Sequence, residues 1–414
     1  MSEATNEASS TIPAELLLDP AVIDDPYPFY RQLREAAPVW RVPDSDIVVV
    51  TSFAAVNEAV GRPADFSSNI GALLYRDDEG RPALYPYGGE ETNVLATADP
   101  PIHGLHRGAV FPELVNRRMV ELRPEVEALA DERIVAALGA DRVEFMGSIG
   151  NAIPIRVISR LIGFQDEDPD ELLAAAFDST EILSAVRSLD EINAAVGRTA
   201  VVSGWLSQQL QEAIDTGAEG LLGVIATAIH GGEIEFFTGL IIMHTLLSAG
   251  GESTTGLLGN AMHLLALDPE LQDRLRRDPT LLTPFIEEVM RLESPFRYHL
   301  RQVRTTTELQ GTTVPAGSTM LLMWGAANRD PDEYDRPDDV VLDRRGARHH
   351  VGFGRGIHLC VGAPLARLEA DVVLRRFLEL TTRFTLDPET APRREASLMV
   401  RRFQTLPLTV TPRR

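Results

Sequence analysis

Only one cysteine occurs in 414 residues, and it stands in the most distinctive stretch, Phe353-Gly354-Arg355-Gly356-Ile357-His358-Leu359-Cys360-Val361-Gly362. Three glycines around it let the backbone turn tightly and approach something large and flat. A helical pattern, Ala363–Leu380, starts directly afterwards. Its first amides and its dipole point towards the sulfur and favour thiolate over thiol. A lone thiolate held this way suits a single bond to an iron whose other ligands do not come from the protein. The plainer alternative is a buried structural cysteine beside a Gly-rich turn. Without a second cysteine, an internal disulfide, a multi-thiolate zinc site and a cysteine-held iron–sulfur cluster are excluded.

Three further groupings carry polar chemistry. Ala249-Gly250-Gly251-Glu252-Ser253-Thr254-Thr255 lies inside an otherwise apolar helical run. Each glycine there costs about 1 kcal/mol before the buried charge is counted. A packing notch with Ser/Thr back-bonding explains it without function; an acid beside an alcohol is the functional alternative. Glu288-Val-Met-Arg291 sits on a helix whose start reads Thr283 as N-cap with Pro284 in the first turn. At i,i+3 its carboxylate and guanidinium share a face. His103 and Arg107, at i,i+4 after Ala98-Asp99-Pro100-Pro101, form either an exposed basic turn or a pair able to reach two carboxylates.

The elements that must position these groups are mostly helical. Apolar spacings of three and four predict helices over Pro26–Ala36, Asn116–Leu138, Ile153–Leu161, Ile182–Ala213, Glu233–Leu265 and Leu281–Ser294. Strand patterns are few: Val39–Val42, Ile47–Thr51, Thr312–Val314, Thr319–Trp324 and Leu406–Val410. Strands near both ends predict that the N- and C-terminal segments pair with each other. Gly71–Thr92 reads as a long mobile loop over a site. The expected organisation is a polar tail over residues 1–20 and one large domain over 21–414, mainly α with small β-sheets.

With 61 acidic against 39 basic residues the net charge is −22, which disfavours nucleic acid as a partner. The start is acidic and polar, without a basic flank and apolar run. The most apolar stretch, Phe236 to Gly250, is short of the roughly twenty residues of a membrane span. No membrane span and a cytoplasmic location are therefore expected, and a lone cysteine fits a reducing compartment.

Phe-Gly-x-Gly-x-His-x-Cys-x-Gly resembles the haem-ligand signature of the cytochrome P450 superfamily, the haem-thiolate monooxygenases, with every fixed position present. The other groupings follow in the family's order, and the match covers His103 to the C-terminus. The pattern resembles the soluble bacterial class, and within it mycobacterial members of unassigned substrate. The resemblance implies a P450 fold, with a helix-rich lobe and a smaller β-containing lobe. Haem b lies between the Cys360 loop and the Glu233–Leu265 helix. Cys360 becomes the axial iron ligand, with Phe353 and Gly354 against the cofactor. His103, Arg107, Arg301 and His358 fall at positions that clamp the haem propionates, and His350 is expected near them. Glu288 and Arg291 become a structural ion pair. Glu252 becomes the acid that relays protons to bound O2, in a widened turn of the helix, with Ser253 or Thr254 as the alcohol. Near Leu342-Asp343-Arg344-Arg345 the family's Phe-Asp-x-x-Arg is displaced by one residue, so Arg345 is given no haem-packing role.

The activity implied is insertion of one oxygen atom of O2 into an apolar organic molecule. Electrons come from NAD(P)H through a separate ferredoxin and ferredoxin reductase, because the fold consumes the chain. A peroxide-driven peroxygenase and a non-catalytic haem sensor are the alternatives; the Glu252–Ser253 pair argues against the first, and the lack of a signalling appendage against the second. Gly71–Thr92, Phe177–Val196, Phe296–Leu300 and Met399–Val400 are expected to line the substrate pocket. Arg344, Arg348 and Arg355 are expected to form a basic island beside Cys360, with His106, Arg107, Arg117 and Arg118 nearby, that steers an acidic ferredoxin.

Overall fold

The computed structural model describes residues 12–89, 92–164 and 168–413, without the Asn116 side chain. A 32-residue helix, Phe236–Leu267, runs through the helical body. It is apolar nearly all round because helices pack on several of its sides, Ala152–Ile162, Pro169–Glu181, Leu189–Thr216 and Ala363–Leu380 among them. The glycines that seemed costly are contact points. A Cβ on Gly250 would lie 2.7 Å from Ile158, and one on Gly251 3.1 Å from Ile155. The helix runs unbroken through Ala249–Thr255. Glycine there lets two neighbouring helices come close.

The main sheet has five strands. Val39–Arg41 and Ile47–Val50 form an antiparallel pair, and Ile47–Val50 lies parallel to Thr319–Leu322. That strand is antiparallel to His299–Val303, which in turn holds Phe66–Ser67. The C-terminal strand Pro407–Pro412 joins Thr381–Leu386 and Arg142–Glu144 in a separate sheet. Among the described residues, the N-terminal and C-terminal strands therefore do not pair with each other. Alternating patterns mark strands, but partner choice depends on where the intervening helices place each edge.

Three other expectations are corrected. Ile182–Ala213 is not one helix: Pro169–Glu181 ends, the chain turns through Ala185 at φ 67°, and Leu189–Thr216 begins. A reciprocal capping box between Ser188 and Glu191 starts the new helix. Thr283 lies inside the Leu282–Leu292 helix, because a 3₁₀ turn over Pro279–Leu281, capped by Asp278, runs straight into it. Within Gly71–Thr92, Ala72–Arg76 and Pro82–Pro86 form a hairpin whose Arg76 N–H donates to the Arg187 carbonyl at 3.1 Å. Residues 90 and 91 lie outside the described part. Of the expected tail, residues 1–11 also lie outside it, whereas Ile12, Leu17 and Leu18 are buried in one cluster with Tyr30 and Leu33.

Candidate active site

The Cys360 loop is built by backbone constraint. Gly354 and Gly356 sit at φ 68° and 70°, where a side chain is strained, and the Cys360 N–H donates to the Phe353 carbonyl at 2.9 Å. Gly352 has a different reason: a Cβ there would lie 2.6 Å from the Met290 carbonyl oxygen. Burial pushes the Cys360 thiol up. The amides of Gly362 and Ala363, at the start of the Ala363–Leu380 helix, pull it back down, as do Arg107 and Arg367.

The sulfur opens onto a cavity of about 1360 Å³, part of it continuous with solvent. Leu246, Ala249, Gly250, Ser253, Thr254 and Leu257 of the long helix form one wall, with Leu95, Leu114, Ile158 and Phe296 around it. Phe353, Gly354, Arg355, His358 and Cys360 line the cavity as well. Of the segments expected to line the pocket, Phe296 and His299 do so; Phe177 and Val400 face a second, polar cavity instead.

His103, Arg107, Arg301 and His358 come together at this cavity. The rings of His103 and His358 are 4.2 Å apart between centroids. Both ring nitrogens of His358 are buried without a hydrogen-bond partner. Burial and the neighbouring Arg301 push its pKa down to about 3. Arg301 is 7 % exposed, makes one hydrogen bond, to the Leu300 carbonyl, and has no ion pair among the described residues. Burial lowers its pKa to about 10. Arg107 donates to the Leu359 carbonyl at 2.9 Å, tying its helix, Ile102–Val110, to the cysteine loop. A buried arginine with no ion pair among the described residues, beside a neutral imidazole whose ring nitrogens are unpartnered, is arranged for an anion from outside the chain.

His350 is not one of them. Its Nε2 lies 3.0 Å from Glu287, its Nδ1 accepts from the Gly352 amide, and it does not line the cavity. Arg367 and Arg348 also pair with Glu287, and the Arg367 guanidinium lies over the Phe353 ring. His350 thus supports the cysteine loop from behind. The sequence hid this because Glu287 reads as one more acid on a helix.

Glu288 and Arg291 are wholly buried and paired, with Nε–Oε1 at 2.9 Å. Arg291 also donates to the carbonyls of Asn328, Pro337 and Asp339. Arg344 completes the network, its Nε 2.8 Å from Glu288. At 9 % side-chain exposure it is withdrawn from the surface, so the expected basic island loses it. The one-residue displacement noted in the sequence is resolved by Arg344 reaching Glu288.

Glu252 faces away from Ser253 and Thr254. It is 1 % exposed, accepts from Arg402 Nε at 2.7 Å and from the Thr180 hydroxyl, and lines the polar cavity with Glu181, Arg187, Glu395 and Gln404. Burial raises its pKa to about 7 against the pull of Arg402. Ser253 Oγ lines the larger cavity and donates to the Ala249 carbonyl at 2.5 Å. Thr180 and Arg402 had no signal in the sequence, lying 72 and 150 positions from Glu252.

A family model described as Cytochrome P450 matches residues 239–408. Cytochrome P450 144 of Mycobacterium tuberculosis is 41% identical over 391 residues, covering 94% of this chain and 89% of that protein. The chain belongs to the cytochrome P450 family. The P450 monooxygenase PikC of Streptomyces venezuelae is 32% identical, over 88% of this chain and 85% of its own. The structure of CYP164A2 from Mycobacterium smegmatis superposes with a TM-score of 0.81 at 29% identity, over 95% and 98% of the two chains.

As a cytochrome P450, the chain is a haem b monooxygenase. Its residues fit the cofactor: a sulfur on the cavity wall matches the iron, and Arg301, without an ion pair among the described residues, and the unpartnered His358 match its two carboxylates. No helix among the described residues is long and apolar enough to cross a membrane.

Proposed function

We propose that Cys360 ligates the haem iron and that Arg301, His358, His103 and Arg107 hold the haem carboxylates. The substrate is an apolar organic molecule. Electrons come from NAD(P)H through a separate ferredoxin and its reductase, in the cytoplasm. One observation carries the reading: a single cavity joins the only cysteine, an arginine without an ion pair beside an imidazole without a hydrogen-bond partner, and an apolar wall. When bound, haem b supplies O2 activation and transfer of one oxygen atom.

The chain's own part is to bind, orient and deliver protons. Leu95, Leu114, Ile158, Leu246, Leu257 and Phe296 exclude water and favour apolar molecules. Ser253 Oγ, with its proton on the Ala249 carbonyl, keeps its lone pairs free to accept a proton; Thr254 lies on the same wall. Glu252, with its pKa near 7, holds a proton at its carboxyl on the polar-cavity side of the same helix. Delivery to these alcohols requires its release from Thr180 and Arg402.

The electron donor docks where Ile357, Leu359 and Phe111 are exposed around the cysteine loop; Arg107 links them, bonding Leu359 and lying 5.7 Å from the Phe111 ring. Arg348, 68 % exposed, and Arg355 supply positive charge at the rim.

The test is spectroscopic. The reduced, carbonyl-bound protein should show the red-shifted Soret band of a thiolate-ligated haem, and Cys360→Ser should lose both that band and oxygenation. A variant retaining both would overturn the assignment. For the donor, Arg348→Glu with Arg355→Glu should flatten the salt dependence of ferredoxin-driven reduction and leave dithionite reduction unchanged.

A further inference from the structure

His299 opens the strand His299–Val303, and Arg301 stands two residues on. Side chains at i and i+2 of a strand share a face. Here that face is the cavity, which His299 and Arg301 both line together with Trp324. Pairing of His299 with Leu322 and of Arg301 with Met320 fixes this register.

The Trp324 indole Nε1 lies 2.6 Å from His299 Nδ1. An indole nitrogen only donates, so Nδ1 must be the bare, accepting nitrogen. Burial and the nearby Arg301 guanidinium keep this imidazole neutral around pH 7, its pKa lowered to about 4. The one remaining ring proton then belongs to Nε2. That N–H has no partner among the described residues; the ring packs against Trp324 and Phe296 and lines the cavity. A donor whose tautomer is fixed, set beside an unpaired buried arginine, is arranged for an acceptor carrying negative charge.

We propose that His299 Nε2–H donates to a carboxylate oxygen of the haem, and that Trp324 acts as a positioning residue by locking the tautomer. This rests on the placement of the haem carboxylates at Arg301 and His358 proposed above. His299 belongs to the same cluster, lining one cavity with Arg301, His103 and His358. Arg301 brings charge and His299 brings direction. A neutral donor adds a hydrogen bond without adding another buried cation to a site that already holds Arg301 and Arg107.

The haem-loaded protein carries the test, read by the carboxylate bending band in resonance Raman spectra and by the rate of haem transfer to apomyoglobin. His299→Phe should shift the band and speed haem transfer several-fold. His299→Gln, which keeps a side-chain N–H, should restore both. Trp324→Phe should broaden the band, because both tautomers become available. If His299→Phe does not take up haem, wild-type protein in the ferrous carbonyl state answers by ¹⁵N-histidine NMR: protonated Nε2 and bare Nδ1 support the proposal, the opposite tautomer overturns it. Arg301→Gln separates two failures. A band moved by Arg301→Gln but not by His299→Phe overturns the role of His299 alone. A band moved by neither overturns the carboxylate placement and this inference with it. Weaker substrate binding with an unmoved band assigns the N–H to substrate and also overturns the proposal.

Discussion

Two clusters of basic side chains lie near the cysteine loop and differ in one respect. Arg291, Arg344, Arg367 and His350 all face carboxylates the chain supplies, Glu288 and Glu287. Arg301, His358 and His299 pair with none among the described residues. Both clusters are largely buried and both bear on the cysteine loop, yet the first is complete in the polypeptide and the second is complete only with a ligand. Whether the counter-charge comes from the chain separates scaffold from binding site more cleanly than residue type does. The sequence placed His350 with the second cluster, and a single contact to Glu287 moves it to the first.

The largest expected effect belongs to the self-sufficient cluster. Glu288→Gln leaves two buried guanidiniums without a charge partner and should cost about 3–5 kcal/mol in urea unfolding of the haem-loaded protein. A loss below about 1 kcal/mol would break the distinction drawn here.

Glu287 and Glu252 sharpen the contrast through pH. Glu287 has three basic neighbours, and hydrogen bonds from His350 and Arg367 outweigh burial to lower its pKa to about 2. Its contribution is present above pH ~4.5 and is lost as pH falls towards 2. Glu252 shares Arg402 with Glu395, and burial wins. With its folded pKa raised to about 7, the native state binds the extra proton. Its contribution is present below the unfolded value and lost as pH rises through 7. Relative to Glu252→Gln, the wild type should therefore lose up to about 3 kcal/mol between pH 5 and pH 8. A pH-independent difference between the two proteins would contradict this.

Arg301→Gln tests the ligand-dependent cluster. Haem transfer to apomyoglobin should accelerate roughly 10- to 100-fold, the worth of about 1.5–3 kcal/mol for a charged hydrogen bond. Unfolding of the chain itself should change by less than about 1 kcal/mol, since no ion pair is lost and the one side-chain hydrogen bond at stake is to the neighbouring Leu300 carbonyl. An equal loss in both measurements would make Arg301 part of the scaffold. The smallest effect is expected for Arg348→Ala. Although it pairs with Glu287, it is 68 % exposed, and its removal should cost under about 1 kcal/mol while still slowing reduction by ferredoxin.

Much of this was legible in the linear chain. The ten-residue cysteine loop, the helix that follows it, the Glu288–Arg291 pair and the long apolar helix all depend on near neighbours, because glycine conformations, helix starts and i,i+3 contacts are local. Ala363–Leu380 was readable to the residue because a strained glycine loop ends where the apolar period begins. Five strands were visible, but His299–Val303, Thr381–Leu386 and the hairpin Ala72–Arg76 with Pro82–Pro86 were not, and neither were the partners: the N-terminal strands join Thr319–Leu322, and the C-terminal strand joins Thr381–Leu386.

What only the tertiary structure decided was the direction in which each polar side chain faces. Arg344 turns inward to Glu288, Glu252 outward to Arg402 and Thr180, and His350 back to Glu287. Each partner lies 56 to 150 positions away. A side chain's charge and donors are properties of the residue and can be read from the sequence. Its counter-charge is a property of packing, because burial makes a lone charge too costly and so selects whichever partner the fold brings within hydrogen-bond reach.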